Sequence, residues 1–285
     1  MKPQELQKIG KSLFGSQWQT PLSESLGVRR ETVSRWTRGI RKIPSPTAKA
    51  IRLLSDQTPC PYFPRRFNAK GEKIVIQDAT LIHGDSRHLL EYIQDPIDAI
   101  LTDPVWPNAL PQLAGSRNPR KLLSDTLLQA TKLLKPTGRI IIHLRCDSDP
   151  RILTAIPAGY QFLRIAWLPY AIPSKKGRIL ISSDVAYIFG KPPPVRAGHR
   201  VLPGQIHIDH CPPMRPEQSQ VKHPCPRNLE HVEWLVEKFT APGEMILDPF
   251  LGSGTTAVAA LRRGRQCIGI EIERKYWTEA CERLS

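Results

Sequence analysis

Short apolar runs, several of them ending on a carboxylate, recur along the chain from about residue 74. They constrain the fold more than any other feature. The runs TLIHGD (80–85), DAILTD (98–103), RIIIHL (139–144), FLRIAWL (162–168), DVAYIFG (184–190), EMILDPF (244–250) and CIGIEI (267–272) have the length of buried strands. Helical stretches at 119–135, 227–240, 255–264 and 274–284 separate several of them. Strands alternating with helices predict an α/β domain built on a largely parallel sheet. Such sheets place their chemistry at the carboxyl ends of the strands.

Two of these strand ends carry most of the information. In ILTDPVWPN (100–108) the run ends on Asp103, and Pro107 biases Trp106 toward extended backbone. On this stretch alone, Asp103 is equally a functional carboxylate or an ordinary turn residue. The second is EMILDPFLGSGTTAVAALRRGRQCIGIEIERKYWTEA (244–280). A strand ends at Asp248-Pro249-Phe250, a turn Gly252-Ser253-Gly254 follows, a helix starts at Thr255-Thr256, and a further strand ends at Glu271. Glycines let the backbone approach a ligand, and a helix N-terminus favours negative charge. Glu271 follows Gly254 by 17 positions, about where an acid caps ribose hydroxyls in nucleotide folds. A full G-x-G-x-x-G is missing, which disfavours a dinucleotide.

Residues 17–42, QWQTPLSESLGVRRETVSRWTRGIRK, read differently. Thr20-Pro21 forms a helix start, with Thr20 as N-cap. Leu22 and Leu26 share a face, and Gly27 ends the helix. A second helix follows with Val28, Val33 and Trp36 inward, leaving Arg29, Arg30, Thr32, Ser34, Arg35 and Arg38 outward. Helix, glycine turn and helix with a basic outer face resembles the phage-repressor helix-turn-helix, whose second helix enters the major groove. The alternative is a helical packing module with solvated arginines. Residues 1–60 hold 11 Lys and Arg against 4 acids, nearly half of the chain's net +15. That excess favours a polyanionic partner. The expected division is a DNA-binding domain over 1–58, a proline- and charge-rich linker over 59–77, and an α/β domain over 78–285.

Other features narrow the setting. Six cysteines without a C-x-x-C pair imply neither a disulfide framework nor a zinc finger, and fit reduced thiols in a cytoplasmic protein. The start lacks an apolar h-region and no run of about 18 apolar residues occurs, so neither a signal peptide nor a membrane span is expected. Residues 191–226 carry nine prolines and read as a long irregular, possible DNA-contacting loop. Within that segment His207, Asp209, His210, Cys211, His223 and Cys225 crowd together; their spacing fits no standard zinc framework, and no metal is expected. The loop PSKKGR (173–178) offers Lys175 and Lys176 to phosphates, or leaves them simply exposed.

Taken with their order, the motifs resemble the β class of DNA amino-methyltransferases over about residues 78–284. DPFLGSGTT…IGIEIERKYWTEA resembles the family's S-adenosyl-L-methionine (AdoMet) loop, and ILTDPVWPN its catalytic D-P-P-[YW] motif. LIHGDSRHLL (81–90) resembles the segment before the catalytic motif, and KHPCPRNLEHVEWLVEKF the H-P-x-x-K-P helix before the cofactor loop. The resemblance implies a Rossmann-like AdoMet-dependent methyltransferase sheet. It implies AdoMet as cofactor, held by Asp248, Phe250, Gly252, Ser253, Gly254, Thr255 and Glu271, with Glu271 on the ribose and Asp85 near the adenine. Asn228 and His223 would line the amino-acid end. Asp103, Pro104 and Trp106 would hold the target base. Asp103 points to N6 of adenine before N4 of cytosine, since the cytosine branch usually has serine there. Two departures stand out: Val105 replaces the second proline, and the lysine of H-P-x-x-K-P is missing, with Arg227 the nearest cation. The other readings are a DNA-binding regulator with a degenerate methyltransferase domain, and methylation of RNA or protein.

Overall fold

The computed structural model describes residues 2–14, 18–25, 28–44, 47–48, 51, 72–106, 115, 117–198, 201–207, 210–213 and 223–285. Leu26, Gly27, Pro107, Asp209 and the linker over 59–71 lie outside them. The chain divides into two compact units, residues 1–65 and 66–285.

The first unit contains α1 (Pro3–Phe14), α2 (Gln19–Ser25) and α3 (Arg30–Thr37). Leu6, Trp18, Leu22, Val33, Trp36 and Ile51 form its core, with Val28 packed against them. The helix α2 starts at Gln19, so Thr20 lies inside it rather than capping it. Its carbonyl accepts a 2.7 Å bond from Ser23 Oγ. Arg29, Arg30, Arg35 and Arg38 are exposed; Thr32 and Ser34 are only half-exposed, being closer to the packed side of α3 than the outward assignment expects.

Among the described residues the second unit is built on one eight-stranded sheet: β1 (Glu72–Ile76), β2 (Ala79–His83), β3 (Ile97–Thr102), β4 (Leu134–Arg145), β5 (Phe162–Lys176), β6 (Ile179–Gly190), β7 (Met245–Asp248) and β8 (Gln266–Glu271). Their spatial order is β1-β2-β8-β7-β3-β4-β6-β5. The five strands from β2 to β4 are parallel, β1 and β6 run against them, and β5 pairs antiparallel with β6, so the sheet is mixed. Helices cover both faces: α4 (Ser86–Leu89) and α5 (Pro119–Leu133) one, and α6 (Leu229–Phe239), α7 (Thr255–Arg262) and α8 (Arg274–Leu284) the other. This explains the continuous apolar runs: β3 buries Ile97, Ala99, Ile100 and Leu101 almost completely. From β7 the chain crosses by α7 to β8 on one side, and from β3 by α5 to β4 on the other. The boundary between β7 and β3 is therefore a topological switch point, where the diverging crossovers leave a crevice.

The segment 173–178 is not a loop. Lys175 and Lys176 are the last residues of β5, paired with Leu180 and Ile179, and only Gly177 and Arg178 turn the hairpin. Gly177 has φ +60°, which a tight two-residue connection requires. Of the proline-rich segment, Gly204–Ile206 bonds to Trp167 on β5, and Ala171 N–H donates to the Pro212 carbonyl.

Candidate active site

Five carboxylates follow one another along the carboxyl edge of the sheet: Asp85 beyond β2, Glu271 on β8, Asp248 on β7, Asp103 beyond β3, and Asp184 on β6 opposite Arg145. Each closes or follows an apolar strand, except Asp184, which the antiparallel run of β6 brings to the same edge.

At the switch point Thr102 Oγ1 donates to Asp248 Oδ1 at 2.7 Å, and the Phe250 N–H donates to the same oxygen at 3.0 Å. Burial pushes the Asp248 carboxyl up to about 6, against the hydrogen bonds from Thr256, Thr102 and Phe250 that favour its ionised form. The turn after β7 wraps around Glu271. Gly252 N–H donates to Glu271 Oε2 at 2.8 Å, and Glu273 N–H to Oε1 at 2.7 Å. Burial raises Glu271 to about 7. Each of its oxygens keeps a second lone pair for a further donor. His223 lies beside this turn: its Nε2 is 3.5 Å from where a Gly252 side chain would begin, and its ring meets Tyr276 edge-on at 4.4 Å.

Gly254 has φ +85°, and an added Cβ would lie 2.8 Å from the Ala280 Cβ of α8. Its need for glycine is met within the fold, by packing against that helix. Ser253 and Thr255 are buried, and Arg283 Nη1 donates to the Ser253 carbonyl at 2.6 Å and approaches both hydroxyls. Asp85 caps α4, accepting from the Arg87 N–H at 3.0 Å, and its carboxylate is gripped by the Arg87 guanidinium. Asn228 is buried at the start of α6 and donates to the Pro213 carbonyl at 2.8 Å.

Asp103, Pro104 and Trp106 leave β3 together; Pro104 and Trp106 are buried and Asp103 half-buried. Arg227 forks onto the carboxylate, Nε to Oδ2 at 2.7 Å and Nη2 to Oδ1 at 2.6 Å. Its third nitrogen, Nη1, donates to Asp184 Oδ1 at 2.8 Å, and its guanidinium carbon lies 5.7 Å from the centre of the Trp106 ring. Asp184 is wholly buried, with His143 Nε2 at 3.1 Å and His231 Nδ1 at 3.6 Å from its Oδ2. Burial alone would raise its carboxyl; Arg227, His143 and His231 overcome that and hold it well below the usual range. Burial lowers His143, against the pull of Asp184. Sequence reasoning did not find Asp184, His143 or His231. Among the described residues these three could converge on a metal ion, rather than the histidines and cysteines of 207–225. Arg227 already occupies the other oxygen of Asp184.

A family model described as DNA methylase, of the N6/N4 type, matches residues 97–282. YubD of Escherichia coli (strain K12), named as a methylase, is 27% identical over 216 residues, covering 72% of this chain and 89% of its own. Two solved structures share the fold. M1.HpyAVI, in its complex with SAM, is 22% identical with a TM-score of 0.56, covering 72% of this chain and 99% of its own. The cytosine-N4-specific PvuII DNA methyltransferase is 18% identical with a TM-score of 0.56, covering 73% of this chain and 87% of its own. With the model spanning both the Asp103 and Glu271 ends of the sheet, this chain belongs to the N6/N4-type DNA methylase family of amino-methyltransferases.

Proposed function

We propose that the chain transfers the methyl group of AdoMet to an exocyclic amino group of DNA, at N6 of adenine. The observation that carries the reading is the juxtaposition of two strand ends. Asp103 and Pro104 leave β3 next to the glycine turn that leaves β7, and the Thr102–Asp248 bond ties the two together. The residues fit the cofactor. Glu271 is a buried carboxylate with acceptor capacity left for ribose hydroxyls, and Asp248, Phe250, Gly252, Ser253, Gly254 and Thr255 shape the turn beside it. Asp85, one residue beyond the Gly84 that bonds the Glu271 carbonyl, stands toward the adenine end.

When bound, AdoMet supplies an electrophilic methyl group. The chain's own residues prepare the nucleophile. An amino nitrogen on a base is a poor one, because its lone pair is delocalised into the ring. The Asp103 carboxylate and the Pro104 carbonyl accept its two hydrogens and draw it toward tetrahedral geometry. These contacts strengthen as positive charge develops on nitrogen, so they favour the transition state. A duplex base reaches them only when flipped out, and Trp106 gives it a stacking partner. No cysteine takes part. Adenine is preferred to cytosine because Asp103 stands where the cytosine branch usually has serine. The exposed arginines around α3 and the hairpin residues Lys175 and Lys176 bring the duplex to the site.

The test is transfer of tritiated methyl from AdoMet to unmethylated DNA, followed by base analysis. N6-methyladenine is the expected product. N4-methylcytosine would overturn the base assignment, and no transfer the whole reading.

A further inference from the structure

We infer that Arg227 clamps the loop Asp103–Trp106 and is a positioning residue for methyl transfer, an assignment that rests on the roles of Asp103 and Pro104 given above. One planar guanidinium touches both ends of the loop. Its fork fixes the plane of the Asp103 carboxylate through bonds of 2.7 and 2.6 Å, and it lies over the Trp106 ring.

The clamp is anchored behind. Nη1 is held by Asp184, and Asp184 is held by His143 on β4. His231 on α6 closes the group: its Nε2 lies 3.1 Å from the Pro169 carbonyl on β5. A carbonyl only accepts, so this nitrogen carries the hydrogen, and the ring is fixed with Nδ1 toward Asp184. Three strands and a helix thus hold the guanidinium, the rigid support a positioning group needs. Charge fits as well. A guanidinium shared between two carboxylates cancels only one of their two charges, so Asp103 still stabilises a nitrogen becoming positive.

Val105 makes the clamp necessary. A proline at 105 would restrict Pro104 to extended backbone and so aim its carbonyl. Valine lifts that restriction, and the direction of the Pro104 carbonyl then depends on holding the loop at both ends. The two departures from the family pattern are in this view one: Arg227 stands at the lysine position of H-P-x-x-K-P counted from His223, and its fork does what the missing proline does elsewhere. Lysine, a point charge, cannot hold a carboxylate by two parallel bonds.

The experiment compares the full-length chain with Arg227→Gln, Arg227→Lys and the double variant Arg227→Gln/Val105→Pro. It measures single-turnover methyl transfer, AdoMet affinity, and amide hydrogen exchange at Val105 and Trp106. Arg227→Gln should slow transfer roughly 10–100-fold, the scale of a small misplacement, with AdoMet affinity within ~2-fold and faster exchange at both amides. Arg227→Lys should show the same pattern more weakly. Adding Val105→Pro should recover at least ~3-fold of the lost rate and slow the exchange at Trp106 again, position 105 then carrying no amide hydrogen. Unchanged rate and exchange in Arg227→Gln overturn the clamp; so does a slowed rate that Val105→Pro does not lift. If Arg227→Gln fails to fold, Arg227→Lys and Arg227→Lys/Val105→Pro carry the same readings. If the parent chain transfers no methyl group, the functional reading fails, and the exchange rates alone decide the clamp.

Discussion

Thr102 and Asp248 are joined side chain to side chain at 2.7 Å, a bond between the last residues of two neighbouring parallel strands, 146 positions apart in the chain. One hydroxyl ties the end of β3 to the end of β7, the two halves of the proposed site. Thr102→Val keeps the shape and removes the donor from a buried carboxylate. The expected cost is ~1–3 kcal/mol of stability, read from denaturant unfolding, together with weaker AdoMet binding. Unchanged values for both would show that Thr256 and the Phe250 N–H suffice to orient Asp248.

Glu271 gives the site a pH dependence whose sign follows from its raised value of about 7, against 4.5 for an ordinary glutamate. An acid raised by folding contributes stability while it is protonated. That contribution is complete below the unfolded value and is lost as pH climbs toward about 7. In the proposed role of Glu271, cofactor binding runs the other way, because ribose hydroxyls would donate to the carboxylate and expel the proton. AdoMet affinity measured by calorimetry should fall several-fold between about pH 8 and about pH 6. Glu271→Gln should bind more weakly throughout and lose the component of this slope that Glu271 supplies.

Gly254 is expected to be intolerant of any side chain, through α8 rather than through the ligand. Gly254→Ala combines a positive φ with a Cβ 2.8 Å from that of Ala280. A loss of ~1–3 kcal/mol is expected. Ala280→Gly in the same chain should return part of it. A Gly254→Ala protein as stable as the parent but unable to bind AdoMet would show that the glycine serves the cofactor directly.

Asp103→Ala should lose at least ~100-fold in turnover while still binding AdoMet. Trp106→Ala should mainly lose the flipped-base state, by ~1–3 kcal/mol, visible as weaker 2-aminopurine fluorescence at the target position. Full activity in Asp103→Ala would sink the mechanism, as would inactivity of a folded variant without cysteines.

The arginines of the first unit are expected to act through phosphates. Replacing Arg30, Arg35 and Arg38 by Gln should lower DNA affinity and flatten its salt dependence, by up to ~0.9 log units per log of salt for each phosphate no longer neutralised. Lys175→Gln/Lys176→Gln should do the same on a smaller scale. An unaltered slope in the triple variant would leave this unit a packing module.

The parallel strands were legible because burial on both faces writes them as unbroken apolar runs, and the carboxylates at their ends mark the working edge. The turn Gly252–Gly254 and Glu271 could be placed for the same reason: all fall within one short stretch of chain. β1 escaped notice because it is an antiparallel edge strand with Val75 exposed, and its EKIVI, opening on two charged residues, reads on from the charged linker. The group around Asp184 was hidden for a different reason. Arg227 lies 124 positions from Asp103 and 43 from Asp184, and His143 41 from Asp184. Only the pairing of β4 with β6 and the approach of α6 bring them together. The available signal was an aspartate opening the apolar run DVAYIFG, which is costly to bury unless a cation waits for it.

The strand order also sets a timetable for synthesis. β2 pairs with β1 and with β8, and β8 and its neighbour β7 leave the ribosome after the other six strands of this sheet. Until they emerge, the β1–β2 hairpin has no place in the sheet and the flank of β3 lies open as an unpaired edge. A nascent chain of this kind must wait, half-assembled, for these two strands. Long-range pairing of this sort folds slowly and is exposed to aggregation on the way, so translation rate and chaperones should bear heavily on how much of it reaches the native state.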